Sequence, residues 1–390
     1  MDEPRMAQTN LVAEMNLADM LDDLEQLVEC ESPSRDIERL TRHGELLADI
    51  MQRRLGSRPR LVDSDAGPHV LWSGGGEPKV LILGHHDTVH PVGTIDARPF
   101  RVDGDIATGP GVFDMKAGIV QAIHAVAALD DKSHVEILLT ADEEVGSLAS
   151  KELLEERARA CGAVFVIEPS ADGGALKTGR KGTGTFTVTV EGRAAHAGLE
   201  PEKGVNALME LARLVPQIAD IARAEVGTTV TPTTARAGTA DNVVPALAVC
   251  EVDVRVAVPE EKPRVEAAMA ALVATDRQAT VTVAGRIGRP PMHESSSAGL
   301  MPLAESVAST VGLGGLAGVV VGGGSDGNFT AAAGVQTLDG LGAVGGGAHA
   351  ETEHVIVSTM PARAALLAGL CQELSSMARR PPLGSVPAER

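Results

Sequence analysis

The chain has 390 residues, of which 44% are hydrophobic and 22% are charged, a composition typical of a globular protein long enough for two domains. Its net charge of −19 argues against non-specific nucleic-acid binding, which needs clustered positive charge. No stretch approaches the roughly 18 apolar residues of a membrane span, and the N-terminus has no apolar signal segment, so we expect a cytoplasmic protein without membrane partners.

Helix and strand patterns alternate over the first part of the chain. Apolar residues at helical spacing predict helices over 17–29 and 115–129, and Ser34 is expected to cap another helix that ends near Leu55. Residues 79–84 (KVLILG) are almost wholly apolar, which predicts a strand buried on both faces. Other elements are predicted as strands at 69–72, 135–141 and 163–168 and a helix at 150–160. This rhythm predicts an α/β fold, with a mostly parallel sheet and helices on both faces.

The pattern changes after about Gly182, where TFTVTVEG alternates like a half-exposed strand. The elements expected after it are a helix, two strands, a helix and a strand, at about 204–224, 229–238, 247–257, 260–274 and 280–285. This β-α-β-β-α-β order is the split plan of a ferredoxin-like domain. We therefore predict a catalytic domain formed by 1–181 and 289–390, interrupted by a lid or dimerisation domain at 182–288.

The C-terminal part is expected to complete the first domain. Residues 317–321 are predicted to resume the buried-strand pattern, and a helix near 360–376 follows. The last dozen residues are predicted to be disordered. The cysteines form no CxxC pair, which argues against a thiolate zinc site and predicts free, mostly buried thiols at Cys30, Cys161, Cys250 and Cys371.

Polar residues collect where the predicted strands end, and ligands of open α/β sheets bind outside the carboxyl ends of the strands. GHHDTV follows strand 79–84, and in extended chain His85 and Asp87 point to the same side. His85 suits a metal ligand, and Asp87 suits a carboxylate that holds the second ring nitrogen of His85 and sets its tautomer. Taken alone, such a pair is more often structural.

Three further motifs place carboxylates at loop positions. Asp114, in GPGVFDMKAG, stands at a predicted helix start, where an acid favoured by the helix dipole is the simpler explanation. Glu143 and Glu144, in TADEEVGS, repel each other unless a cation or a proton separates them, and a solvated acidic pair is the alternative. Glu168 ends the apolar strand of FVIEPS, and a fourth motif, GGGAHAETEH, carries His349 after a glycine run.

Together these side chains predict a centre for two divalent ions. Histidines and carboxylates without cysteine suit zinc, which we expect first, and cobalt or manganese are alternatives. Asp114 would bridge the ions, whose other ligands would be the pairs His85 with Glu168 and Glu144 with His349. Such a centre lowers the pKa of bound water and polarises a carbonyl. Glu143, next to a ligand, is predicted to be the general base.

With these residues, the chain resembles the di-zinc amidohydrolase family of glutamate carboxypeptidase, acetylornithine deacetylase, succinyl-diaminopimelate desuccinylase and aminoacylase. The resemblance runs from about residue 17 to 376 and includes GHHDTV, GPGVFDMKAG, TADEEVGS, FVIEPS, AAHAG, ADNVVP, GRPPM and GGGAH. The glutamate carboxypeptidase branch is nearest, by the stretch HHDTVHPVGTIDARPFRVDGDIATGPG. The resemblance implies the same metal ligands, a zinc-peptidase-like fold, Glu143 as the base and Asp87 as the partner of His85.

The resemblance also implies roles for residues that spacing alone would not select. His196, in AAHAG, would stabilise the oxyanion, in relatives often from the partner subunit of a homodimer, and Asn242 would be another donor. Arg289, in GRPPM, would bind the α-carboxylate of the substrate. Lys177 and Ser325 fall near substrate-contacting positions, although an N-cap explains Ser325 equally well.

The function expected from these features is hydrolysis of a C-terminal peptide bond or N-acyl amino acid amide in a substrate with a free carboxylate. Glu168 supports this, because relatives with glutamate at that ligand position remove acyl groups or C-terminal residues, whereas those with aspartate are aminopeptidases or dipeptidases. A deacylase of the acetylornithine or succinyl-diaminopimelate type is the alternative, and DMKAG is closer to those members. A remote alternative is a dimeric metal-binding protein without catalysis.

Overall fold

The computed structural model describes residues 11–377, so the predicted disorder of the last dozen residues lies outside the described part. Two compact units divide the chain. Of the described residues, the larger unit contains 11–179, Glu294–Val320 and 325–377, and the smaller unit contains Arg180–His293 and Val321–Gly324. The insertion predicted at 182–288 lies within the smaller unit.

Helices and strands alternate along most of residues 11–377. The α-helices are α1 (Leu11–Glu14), α2 (Leu17–Glu29), α3 (Ile37–Leu55), α4 (Thr94–Ala97), α5 (Ala117–Ala127), α6 (Lys151–Cys161), α7 (Ala207–Ala219), α8 (Glu261–Ala270), α9 (Met301–Thr310), α10 (Gly327–Ala332) and α11 (Met360–Met377). The strands are β1 (Arg60–Val62), β2 (His69–Ser73), β3 (Val80–His85), β4 (Arg101–Asp103), β5 (Ile106–Thr108), β6 (Val135–Thr140), β7 (Ala163–Val166), β8 (Leu176–Arg180), β9 (Gly182–Glu191), β10 (Thr229–Ala237), β11 (Leu247–Val256), β12 (Thr280–Arg289), β13 (Gly318–Val321), β14 (Gln336–Leu338), β15 (Gly345–Gly346) and β16 (His354–Ile356). None of these helices combines the length and apolarity needed to cross a membrane.

The larger unit is built on a six-stranded sheet of order β1-β2-β6-β3-β7-β14. Strands β6, β3, β7 and β14 run parallel, whereas β2 is antiparallel to β6 and β1 is antiparallel to β2. Val80 and Ile82 of β3 belong to one core with residues of α2, α3, α5 and α11, while Leu81 and Leu83 belong to another with residues of α6 and α10. Successive strand residues point to opposite faces, so helices cover both sides, and the predicted mostly parallel α/β fold is confirmed.

Two local predictions are wrong. Asp36, and not Ser34, caps α3 by accepting a hydrogen bond from the backbone N–H of Arg39 at 3.1 Å. The strand near 317–321 does not join the main sheet as a buried strand, because β13 is partly exposed and pairs with β8, while β14 lies beside β7. A short apolar run indicates a strand but does not indicate which sheet it joins. The four cysteines are free, and all except Cys30 are buried, as predicted.

The smaller unit is a four-stranded sheet of order β10-β11-β9-β12 with all neighbours antiparallel. In chain order its elements are β9, α7, β10, β11, α8 and β12. Alternate residues of β9, such as Phe186, Val188 and Val190, form a core with α7 and α8. The last strand, β12, continues to Arg289, beyond the end predicted at 285.

Candidate metal centre

Three parallel strands of the main sheet end at one edge, and a candidate ligand lies at or just past the end of each. His85 is the last residue of β3 and pairs with Thr140, the last residue of β6. Glu143 and Glu144 follow β6 in a 3-10 turn, and Glu168 lies just past the end of β7. Because parallel neighbours end together, these side chains meet outside the carboxyl ends of the strands.

Two further candidate ligands come from loops. Asp114 lies in the turn Val112–Lys116 before α5, and its peptide bond to Met115 is cis. His349 lies between β15 and β16, with a φ of 62° that is uncommon for a residue other than glycine. Left-handed backbone conformations of this kind cluster at functional sites, where the surrounding structure imposes them.

The five candidate ligands form two groups that share Asp114. His85 Nε2 lies 3.3 Å from Asp114 Oδ1 and 3.5 Å from Glu168 Oε1. His349 Nε2 lies 3.3 Å from Asp114 Oδ2 and 3.3 Å from Glu144 Oε2. The ligand atoms of each group lie within 4.8 Å of one another. Asp114 therefore turns one oxygen to each group, which is the arrangement of a bridging carboxylate.

These distances fit divalent metal ions. Ligand atoms about 2.0–2.1 Å from a tetrahedral zinc ion lie roughly 3.3 Å from each other, whereas charge-assisted hydrogen bonds are nearer about 2.8 Å. Glu144 Oε1 is buried and has no hydrogen-bond partner among the described residues. This carboxylate oxygen is therefore available to bind a metal ion. The donor set of nitrogen and carboxylate oxygen is the one that zinc, cobalt and manganese accept.

The electrostatics of the centre favour positive charge between the carboxylates. Burial by itself would lower the pKa of His85, but Asp114 and neighbouring carboxylates raise it well above its ordinary value. Hydrogen bonds to Asp114 and Glu144 raise the pKa of His349 to about 10. Burial would raise the pKa of Asp114, yet both histidines hold it far below its ordinary value, while burial raises the pKa of Glu144.

Asp87 contacts His85 through its backbone oxygen and its carboxylate, and it also contacts the 3-10 turn of Glu143 and Glu144. His85 Nδ1 lies 2.9 Å from the backbone oxygen of Asp87 and 3.5 Å from its carboxylate Oδ1, so Nδ1–H donates mainly to the carbonyl. The carboxylate accepts the backbone N–H groups of Glu143 and Glu144, at 3.2 and 3.3 Å, and the hydroxyl of Ser34 at 2.7 Å. Asp87 thus holds both His85 and the 3-10 turn that begins with Glu143 and Glu144, the acidic turn.

Glu143 is 6% exposed and lies beside Glu144 at the end of β6. Its charge is among those that raise the pKa of His85. The two groups of candidate ligands do not include it. A buried carboxylate next to a ligand cluster suits proton transfer.

The other predicted residues of the larger unit lie outside the ligand groups. Lys177 is on β8, and its backbone N–H donates to Asp339 O at 2.9 Å. Ser325 is buried, its hydroxyl donates to Asp339 Oδ2 at 2.7 Å, and it accepts the N–H of Gly327. These bonds tie the start of α10 to the end of β14.

In the smaller unit, His196 and Asn242 are neighbours and both are exposed. Asn242 O accepts the N–H of Ala197 at 2.9 Å. His196 Nδ1 accepts the N–H groups of Gly198 and Leu199 at 3.1 and 3.2 Å, so the proton of the neutral ring is on Nε2. Arg289 is the last residue of β12. Its side chain passes close to Gly324, because a Cβ atom added to that glycine would lie 3.3 Å from the Arg289 Cδ.

Sequence reasoning missed the roles of two residues that hydrogen-bond to residues of the centre. Ser34 bonds to Asp87, and Glu353 accepts the backbone N–H of Asp114 at 3.0 Å. Glu353 follows His349 by four residues in a glycine-rich loop, which is a weak signal in the sequence alone.

Comparisons with known proteins agree with this geometry. The model of "Peptidase family M20/M25/M40" matches residues 81–373. Carboxypeptidase G2 of Pseudomonas sp. (strain RS-16) is 32% identical over 372 residues, which are 90% of this chain and 88% of the relative. Succinyl-diaminopimelate desuccinylase of Xanthomonas oryzae pv. oryzae (strain MAFF 311018) is 33% identical over 337 residues, 78% of this chain and 86% of the relative.

Solved structures show the same fold. Aminopeptidase PepT from Bacillus cereus ATCC 10987 has a TM-score of 0.78 at 21% identity, covering 93% of this chain and 100% of that chain. The M20 family metallo-carboxypeptidase Sso-CP2 from Sulfolobus solfataricus has a TM-score of 0.73 at 17% identity, covering 92% of this chain and 99% of that chain. At these identities the likeness concerns the fold alone.

Proposed function

Because this chain belongs to peptidase family M20/M25/M40 and is a metal-dependent hydrolase of amide bonds, we propose that it acts as a carboxypeptidase. The substrate is an amide whose nitrogen belongs to a residue with a free carboxylate. The observation that carries the proposal is that Asp114 turns one carboxylate oxygen to His85 and the other to His349. Glu143 lies beside this ligand cluster. The similarity to carboxypeptidase G2 over most of both chains favours this leaving group.

The centre would hold two divalent ions, which we expect to be zinc, with cobalt or manganese as alternatives. Asp114 would bridge them, His85 and Glu168 would complete one site, and Glu144 and His349 would complete the other. When bound, such ions lower the pKa of water and polarise the carbonyl of the substrate.

Glu143 is the general base of the reaction. It takes a proton from water as the water oxygen bonds to the amide carbon, and it gives that proton to the nitrogen as the C–N bond breaks. Its backbone N–H is bound by Asp87, so the acidic turn stays in place while the side chain exchanges a proton. The products are a carboxylic acid and an amine that carries the substrate's own carboxylate.

Residues of the smaller unit bind the substrate. His196 donates from Nε2 to the developing oxyanion, and Asn242, its neighbour, is a second donor. Arg289 binds the free carboxylate in a bidentate pair. The protein is a homodimer in which His196 reaches the centre of the partner subunit.

The second candidate is an N-acyl amino acid deacylase, which the similarity to succinyl-diaminopimelate desuccinylase favours. A panel of N-acyl amino acids and of peptides that end in glutamate separates the two candidates by kcat/KM. For either candidate, replacing the free carboxylate with a carboxamide should lower kcat/KM by about 30-fold or more, because Arg289 loses its charged partner.

The decisive experiment compares Glu143→Gln with Glu144→Gln. We expect Glu143→Gln to lower turnover by about a hundredfold to ten-thousandfold with the metal content unchanged, because only the proton acceptor is lost. Glu144→Gln should lower the metal content itself. Wild-type turnover in metal-loaded Glu143→Gln would remove Glu143 from the mechanism, and a wild-type protein that hydrolyses no member of the panel would favour the silent metal-binding alternative.

A further inference from the structure

The side chain of Glu353 is buried, with 1% exposure, and both of its oxygens are fully engaged. Oε1 accepts the backbone N–H groups of Phe113 and Asp114 at 2.9 and 3.0 Å. Oε2 accepts the backbone N–H of Gly111 at 2.9 Å and lies 2.8 Å from His90 Nε2. Three of the four bonds therefore hold the turn that carries Asp114.

The network extends from Glu353 to two other ligand-bearing segments. Arg98 donates to His90 Nδ1 at 3.1 Å, so the proton of the neutral His90 ring is on Nε2 and points at Glu353. Arg98 also donates to the backbone oxygen of Ala350, the residue after His349, at 3.0 Å. His90 is on the segment that begins with His85.

We propose that Glu353 is a positioning residue that holds the segments of Asp114, His349 and His85 together so that two metal ions can bind. The inference rests on the proposed two-ion centre. Since Asp114 faces both histidines, a displacement of its backbone changes both sites at once. Outer carboxylates that fix ligands in this way contribute about 10- to 100-fold to metal affinity or activity.

A carboxylate is required at this position because four donors converge on two oxygens. The amide of Gln offers one oxygen, and its NH₂ group would face two N–H donors, so at least two of the four bonds are lost. Asp keeps both oxygens but is one methylene shorter. Glu353→Gln therefore tests the loss of an acceptor oxygen, and Glu353→Asp tests a shorter side chain that keeps both oxygens.

The test is a titration of metal-free full-length protein with Zn²⁺ alone against a chromophoric chelator. We expect Glu353→Gln to bind the ions about 10- to 100-fold more weakly than wild type, and Glu353→Asp to recover part of that loss. The visible absorption of the Co²⁺ form should change in Glu353→Gln, because the geometry around the ions changes. These readouts do not require activity.

The matched control is Glu136→Gln. Glu136 is also a buried carboxylate of the larger unit, but it pairs with Arg157 at the start of β6, away from the ligand turn. This variant should lose thermal stability and keep the wild-type Zn²⁺ affinity. Should Glu353→Gln likewise lose stability yet bind Zn²⁺ as wild type does, the positioning role is wrong. If Glu353→Gln does not fold, wild-type affinity in Glu353→Asp is the contrary result.

Failure of the proposed centre is distinguishable from failure of this inference. A wild-type protein that does not bind Zn²⁺ contradicts the centre itself. A wild-type protein that binds two ions, with Glu353 variants that bind them equally well, contradicts only the role of Glu353.

Discussion

The carboxylate of Asp87 accepts the backbone N–H of Glu143, with its Oδ1 3.2 Å from the nitrogen. The same carboxylate accepts the N–H of Glu144 and the hydroxyl of Ser34. Because Asp87 is fully buried, these bonds are shielded from water. A residue selected for its link to a histidine therefore also sets the position of the candidate base.

We predict that Asp87→Asn lowers kcat by about 10- to 100-fold, because the amide keeps only one acceptor oxygen and the acidic turn loses a bond. Ser34→Ala removes one hydrogen bond to Asp87, worth about 1 kcal/mol, and should lower kcat by only about fivefold. Steady-state kinetics of metal-loaded proteins measure both. Equal kcat values for wild type and Asp87→Asn would contradict the positioning of Glu143 by Asp87.

Metal removal should abolish activity and lower the melting temperature. In the proposed centre the ions would join candidate ligands from five separate segments, and an ion present at 100 times its Kd stabilises the fold by about 2.7 kcal/mol. Thermal melts of the chelator-treated protein with and without Zn²⁺ check this. Mg²⁺ is the control, since it prefers oxygen ligands, and it should shift the melting temperature less. A melting temperature that Zn²⁺ leaves unchanged would count against the centre.

Asp23 should stabilise the fold in a pH-dependent way. It is buried on α2, and its carboxylate lies 2.8 Å from donor nitrogens of Arg53, Arg54 and His124. Burial would raise its pKa, but these hydrogen bonds hold the pKa well below its ordinary value of 3.8. A depressed pKa in the folded state means that the stabilisation is fully present above about pH 4 and is lost as the pH falls further.

Asp23→Asn should therefore lower the free energy of unfolding at pH 7 by about 2 kcal/mol, since both arginines are partly exposed and the loss is smaller than for a fully buried pair. The difference from wild type should shrink below pH 4. Urea unfolding at pH 7 and pH 3 measures it, and Asp22→Asn, at the exposed neighbouring position, should change little. A difference that stays constant over this range would show that the charge of Asp23 is not involved.

The action of His196 across subunits can be tested by mixing two inactive variants. In a dimer of one Glu143→Ala and one His196→Ala subunit, one centre has both defects and the other has none. Half of randomly mixed dimers are of this kind, so about a quarter of wild-type activity should return. Activity assayed after subunit exchange measures it, with each variant mixed with itself as the control. If His196 acts on its own subunit, no activity returns.

The strands that carry the centre could be predicted closely from the sequence. Residues 79–84 and 135–141 were predicted, and the strands are Val80–His85 and Val135–Thr140. Their side chains are buried on both faces, so an unbroken apolar run marks them clearly. The sequence was less informative where one residue had two possible partners, as for Ser34, which can cap a helix but bonds to Asp87.

By itself the sequence determined the fold class and the chemical types of the candidate ligands, because each strand-end candidate comes at the end of an apolar run whose pattern is local. Only the tertiary structure decided that Asp114 turns one oxygen to His85 and the other to His349. It also decided that Glu353 holds the backbone of Asp114 from 239 residues away. Such contacts depend on how distant segments pack and on the direction of each side chain, and no periodicity within one segment encodes them.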